Sequence, residues 1–234
     1  MIQVSNISLR AGNFALDDLN FEVATGAYSV LMGRTGGGKT TILESICGLR
    51  RPAGGSIRLL GRDVTLLRPA ERGIGYVPQD GALFTTMTVR RQWELPMMLR
   101  HRPRAAIERR IAELAEALGI TALLDRKPAG LSGGEIQRVA LGRALSFAPR
   151  IMCLDEPLNA LDQATHAEAC ALLKRLTRSA GITALHVTHD PEEADLLADQ
   201  ILFLDNGRLT SRPATPTTLG APRKPEAQAG APSA

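Results

Sequence analysis

The sequence predicts an α/β fold with a mostly parallel sheet core, an N-terminal antiparallel β-subdomain and an inserted helical subdomain. Three observations carry this. Short apolar runs alternate with helix-period segments through the second half of the chain. A glycine-rich turn joins a buried strand to a helix near residue 33. Between these regions, residues 85–127 have apolar positions at helical spacing and little strand character.

Taken in order, the N-terminal stretch alternates and predicts strands over Gln3–Leu9 and Leu19–Val23. Tyr28–Met32 is a short apolar run ending in glycine, the pattern of a buried strand. Thr41–Leu49 has helical spacing in Ile42, Leu43, Ile46 and Leu49. Ser56–Leu60 and Ile74–Val77 read as further strands. Arg104–Leu118 sets Ile107, Ile111, Leu114, Ala115 and Leu118 at helical spacing, with Arg and Glu between them. Ser132–Ser146 is another helix, and the helical subdomain is placed at about 85–148. Ile151–Leu154 (strand), Thr165–Ser179 (helix), Ile182–Val187 (strand) and Pro191–Ala198 (helix) then alternate. Gln200–Asp205, Asn206-Gly207 and Arg208-Leu209 give a terminal hairpin signal. From Arg212 the chain is rich in Pro, Ala, Thr and Gly and poor in large apolar residues. Residues 212–234 are therefore predicted to be a disordered tail, leaving 1–211 as the folded domain.

The 234 residues, 44% of them hydrophobic, suffice for one sizeable core, and a charged content of 22% is ordinary for a soluble globular protein. A net charge of +4 suits an anionic ligand, a membrane-proximal partner or nucleic acid without choosing between them. The first ten residues lack the apolar core of a signal peptide, and no apolar run approaches bilayer-spanning length. Any membrane role is thus expected through a partner. Cys47, Cys153 and Cys170 form no CxxC pair, so they suggest neither a zinc site nor a redox dithiol, and read as small buried side chains in a reducing cytosol.

Gly33-Arg34-Thr35-Gly36-Gly37-Gly38-Lys39-Thr40 fits G-x-x-x-x-G-K-[ST], the loop of P-loop NTPase cores. Its glycines let backbone N–H groups turn inward toward a β-phosphate. Lys39 supplies charge for the β/γ oxygens, Thr40 a hydroxyl for Mg²⁺, and the following helix, with Thr41 in its first turn, directs its positive end at the phosphates. Ile151–Leu154 runs into Asp155 and Glu156. Acids at the end of a parallel strand sit where such sheets bind ligands. Asp155 suits Mg²⁺ and Glu156 the attacking water, the two needs of phosphoryl transfer.

Leu131-Ser132-Gly133-Gly134-Glu135-Ile136-Gln137-Arg138 is the most specific run in the chain. Physically it is a second helix N-terminus, with the free N–H groups of Gly133 and Gly134 beside the Ser132 hydroxyl, and so a second phosphate site. Ser132 and Glu135 also match a capping box; both readings hold together, since the cap presents the amides.

This run resembles the signature motif of ABC ATPases. In the family's order, Tyr76-Val77-Pro78-Gln79 looks like the Q-loop, Leu158-Asn159-Ala160-Leu161-Asp162 like the D-loop, and His189 like the switch histidine. The resemblance covers roughly residues 1–210 and implies a head-to-tail dimer, in which Walker A of one subunit and the signature motif of the other grip one ATP. It implies that His189 contacts the γ-phosphate and that Gln79 links metal or water to the helical subdomain. An aromatic residue near the N-terminus often stacks on adenine in this family. The usual tyrosine is missing from Arg10-Ala11-Gly12-Asn13, and Phe14 is the nearest candidate for stacking or for strand core.

Among ABC proteins, Gly12–Asp17, Leu131–Leu141 and Leu154–Leu158 look most like ATPase subunits of bacterial importers, particularly those for molybdate, tungstate and related oxyanions. The partners implied are a second copy of the cassette, membrane permease subunits at the cytoplasmic face of the membrane, and a solute-binding protein. A C-terminal regulatory β-domain common in relatives is not expected here. Arg90, Arg91, Arg100, Arg102, Arg104, Arg109 and Arg110 crowd the helical stretch, as a solvated basic face or a surface for permease or lipid headgroups. The alternative reading is a non-transport ABC ATPase of DNA repair, chromosome organisation or translation. The sequence lacks the coiled coils and second cassette of those forms, and nucleic acid is not expected as a partner. A simple P-loop kinase leaves Leu131–Arg138 unexplained.

Overall fold

The computed structural model describes residues 1–11, 14–159, 161 and 163–214. Strands β1 (Ile2–Ala11) and β2 (Phe14–Val23) open the chain, and β3 (Tyr28–Gly33) leads into helix α1 (Lys39–Cys47). There follow β4 (Gly54–Leu59), β5 (Arg62–Asp63), a short helix α2 (Pro69–Arg72) and β6 (Ile74–Val77). Helices α3 (Val89–Met98), α4 (Arg104–Ala117) and α5 (Gly133–Leu145), with a 3-10 turn at Thr121–Leu123, fill the span before β7 (Ile151–Asp155). The chain continues through α6 (Gln163–Ser179), β8 (Thr183–Val187), α7 (Pro191–Leu197), β9 (Gln200–Asp205) and β10 (Arg208–Pro213).

Two sheets form. The N-terminal one is antiparallel, in the order β2-β1-β4-β5. The central one has the order β10-β9-β3-β8-β7-β6 and is parallel except for the β9–β10 hairpin. Its inner strands β3, β7 and β8 are buried on both faces, which is why they read as unbroken apolar runs. Period-2 geometry sends successive side chains to opposite cores. Met152 and Leu154 join Val30, Ala184 and Ile201 in the cluster shared with α3–α7, whereas Ile151 and Cys153 join Leu31, Leu185 and Leu202 over α1 and the antiparallel sheet.

The helical arm hangs on Trp93, which is fully buried and donates Nε1–H to the Val139 carbonyl at 2.8 Å. Its ring lies directly over Gly142 of α5, where a Cβ would collide with it.

The edges of several elements differ from the sequence prediction. β2 begins at Phe14 rather than Leu19, because bulges between Val4, Ile7 and Leu9 break the alternation, and Asn6 and Asp18 take left-handed φ angles of 51° and 53°. Helix α3 is not marked off in the sequence from the rest of the helical stretch. Its last turn holds Pro96, and a proline disguises a helix in a sequence. The predicted tail starts too early. Arg212 pairs with Ile201 and Pro213 with Gln200, and Ala214 N–H bonds the Asp199 carbonyl at 3.0 Å. Residues 215–234 of that tail lie outside the described residues.

Candidate active site

β3 ends at Gly33 in a conformation open to glycine alone (φ +148°), where a Cβ would strike the Leu204 carbonyl of β9. Gly38 caps α1 with φ +97°. Between them the loop closes through Gly37 N–H to the Arg34 carbonyl at 3.1 Å. Lys39 is buried, with its ammonium group donating to the carbonyls of Gly33 at 2.9 Å and Arg34 at 3.0 Å. It thus clasps its own loop, while the N–H groups of the first turn of α1 face the same space. The cleft beside this loop is lined by Thr35, Gly36, Gly38, Lys39, Thr40 and Thr41 on one side, and by Gln79, Glu156, Asn159 and His189 on the other.

Thr40 Oγ1 donates to Asp155 Oδ1 at 3.2 Å, which joins the start of α1 to the end of β7. Burial raises the Asp155 carboxyl above its usual value; the Thr40 hydroxyl and the Lys39 charge act in the opposite direction. Two hard oxygen donors side by side at the cleft form a donor set that fits Mg²⁺, which takes one or two protein oxygens alongside phosphate and water.

Glu156 follows in a left-handed conformation (φ +44°), its N–H bonded to the Val187 carbonyl at 2.8 Å. That bend carries its carboxylate off the strand and into the cleft. Asn159 Nδ2 donates to Oε2 at 3.1 Å, Gln79 Nε2 stands 3.5 Å from the same oxygen, and His189 Nδ1 lies 3.5 Å from Oε1. His189 is at the exit of β8, half exposed to the cleft. The structure therefore brings together the predicted Lys39, Thr40, Gln79, Asp155, Glu156 and His189. It adds Asn159, which sequence reasoning had assigned only to the D-loop; Ala160 and Asp162 of that loop lie outside the described residues. So does the Phe14 side chain, and with it the adenine-stacking expectation.

Ser132, Gly133 and Gly134 do not line this cleft. Ser132 caps α5 as predicted, with Glu135 N–H donating to its Oγ at 3.3 Å and its own N–H donating to Glu135 Oε2 at 2.7 Å. That reciprocal bond holds the Glu135 carboxyl below its usual value.

A family model described as ABC transporter matches residues 16–159. The chain belongs to the ABC transporter family. As an ABC ATP-binding domain it is 48% identical over 87% of its length, and 83% of the relative, to the molybdate/tungstate import ATP-binding protein of Archaeoglobus fulgidus. It is 44% identical to the sulfate/thiosulfate import ATP-binding protein of Thermosynechococcus vestitus over 89% of this chain. The chain covers only 62% of that second relative. Among solved structures, a dimeric bacterial ABC transporter cassette superposes with a TM-score of 0.82 at 29% identity, covering 92% of this chain and 99% of the other. A dimeric cassette in a post-hydrolysis state, bound to ADP and Pi, gives 0.81 at 28% identity with the same coverage. Hydrolysis of ATP is the activity such an ABC cassette supports, and the cleft has the corresponding parts. Among the described residues no helix is long and apolar enough to cross a membrane.

Proposed function

We propose that this cassette is the ATP-hydrolysing motor of a bacterial ABC importer for a small solute or inorganic oxyanion of the molybdate, tungstate or sulfate kind. The observation that carries the motor is Glu156, held by Asn159, Gln79 and His189 across a cleft from the phosphate loop. The likeness to import subunits supports the transport role.

Gly33, Arg34, Gly36, Gly37 and Gly38 shape the loop, whose N–H groups, with those of Thr35, Thr40 and Thr41, receive the phosphates. Lys39 gives up its loop carbonyls for the β/γ oxygens. Thr40, Asp155 and Gln79 would hold Mg²⁺, which when bound neutralises charge on the β- and γ-phosphates. Glu156 accepts a hydrogen bond from water and aims it at the γ-phosphorus, while His189 contacts the γ-phosphate. Ser132, Gly133 and Gly134 close the site of a second copy of the chain, arranged head to tail. Phe14 remains the proposed adenine contact. Through permease subunits the cassette sits peripherally on the cytoplasmic side of the membrane, with a solute-binding protein serving the same permease.

The test is to trap a tagged Glu156→Gln protein with ATP in its native host and identify what co-purifies from solubilised membranes. A stoichiometric multi-span permease is the expected result. Recovery of ribosomes or DNA-associated proteins alone would overturn the transport role and leave the cassette chemistry in place.

A further inference from the structure

Outside the lining of the phosphate cleft, two helices bring a second set of polar side chains together. His166 comes from α6, Asp190 caps α7, and Glu193 lies in its first turns. His166 Nε2 is 2.9 Å from Glu193 Oε1 and 3.6 Å from Asp190 Oδ2, and the three ligand atoms all lie within 4.8 Å of one another. None of these residues has a role in the ATP chemistry above.

We propose that His166, Asp190 and Glu193 form a binding site for a divalent transition metal ion, zinc being the best match, which ties α6 to the segment carrying His189. A tetrahedral ion at about 2.0–2.1 Å from each ligand holds neighbouring ligand atoms about 3.3 Å apart, and 2.9 and 3.6 Å bracket that value. Two carboxylates and one neutral imidazole carry a charge that balances a divalent ion. Asp190 is one-third exposed, which leaves a route in and a fourth position for water.

Each ligand has the support that metal ligands usually have. Glu193 is 3% exposed. Its second oxygen lies 3.1 Å from Nε2 of the fully buried His186, in ion-pair range although off the line of a straight hydrogen bond. The other ring nitrogen of His186, Nδ1, stands 2.9 Å from the Tyr28 hydroxyl. With Tyr28 donating to Nδ1, Nε2 carries the proton and faces Glu193, so Oε1 is left for the metal. Asp190 divides its work in the same way: Oδ1 accepts the Glu192 N–H at 2.7 Å and Oδ2 faces His166. Behind His166, Nδ1 is 3.9 Å from Cys170 Sγ. Burial pushes that thiol up to about 12, which makes it a neutral neighbour of the His166 ring. Burial also works against the Glu193 charge, but His186, His166 and Thr188 outweigh it and hold the carboxyl below its usual value.

The test is titration of the chelator-treated full chain with Co²⁺, with Mg²⁺-ADP present to fill the phosphate cleft. One Co²⁺ per chain is expected, with the visible absorption of a four-coordinate ion, displaced stoichiometrically by Zn²⁺. His166→Ala removes the absorption and Glu193→Gln weakens binding at least tenfold. Zn²⁺ raises the melting temperature of the parent and not of His166→Ala. If His166→Ala does not fold, His166→Gln, which keeps a donor toward Glu193 but is a poor ligand, gives the same comparison. Absence of saturable Co²⁺ binding, or binding that persists without His166 and disappears in His189→Ala, would overturn the proposal.

Discussion

Asn159 donates its side-chain amide to Glu156 at 3.1 Å, so the carboxylate proposed to aim the water is steadied by a residue only three positions further on. The bend at Glu156 makes this possible, since a straight strand exit would carry the two side chains apart. Asn159→Ala leaves the charge and frees its direction. We expect kcat to fall about three- to tenfold, the worth of one hydrogen bond of about 1 kcal/mol, with little change in KM. Steady-state phosphate release checks this, and an unchanged kcat would remove Asn159 from the site.

Glu156→Gln keeps the shape and loses the ability to accept the water's proton. The expected fall in kcat is about 100-fold or more, within the range of general-base contributions. ATP binding by fluorescence titration should survive. Normal turnover would show that another group orients the water.

Asp155→Asn should stabilise the metal-free protein. Burial raises the folded-state pKa of Asp155 above its unfolded value. The ionised form therefore opposes folding, fully above the raised pKa and not at all below the unfolded one. With chelator present at neutral pH the melting temperature should rise by about 2 °C, and the gain should shrink as the pH falls through that window. The same variant should lose the stabilisation that Mg²⁺-ATP gives the parent. A melting temperature below that of the parent at neutral pH would contradict the burial argument.

Because Ser132 lies outside the cleft of its own chain, defects in the two halves of the site should complement one another. Lys39→Ala and Ser132→Arg are each expected to be inactive alone. Mixed one to one, they form heterodimers with one intact site, and activity should recover to at most about a quarter of the parent's. No recovery on mixing, with heterodimers present by native mass spectrometry, would argue against head-to-tail pairing.

Gly142→Ala tests the seat of the helical arm. The added methyl meets the Trp93 ring, and overpacking of this kind costs about 1–3 kcal/mol. The melting temperature should drop by about 3–8 °C, while the ATP-binding affinity of the folded protein holds.

Much of the cleft was legible in the sequence because its parts are local. Gly33–Thr41 is one contiguous loop, and Asp155-Glu156 one strand exit, so spacing alone placed their chemistry. The doubly buried strands were equally legible, since apolar runs such as Ile151–Leu154 need no partner to be read. What escaped depends on contacts between distant segments. Asn159 is one polar residue in a loop, and only the turn at Glu156 gives it a target. His166, His186 and Glu193 meet through the packing of α6 and α7 on β8, which no single segment signals. Asn6 and Asp18 hid the first half of β2, because their bulge is stabilised by side chains reaching across it, Asn6 Nδ2 to Asp18 Oδ1 at 2.6 Å.

The strand order also fixes a separation. β3, which bears the phosphate loop, and β7, which bears Asp155 and Glu156, are not neighbours; β8 lies between them. Two strand spacings separate them by about 9–10 Å. Helix α1, which leaves the loop, closes that gap at Thr40, whose hydroxyl reaches Asp155 Oδ1 at 3.2 Å. The intervening β8 delivers His189 to the same cleft. Strands that share no hydrogen bond are thus made to act on one bound group, each through the residue at its exit.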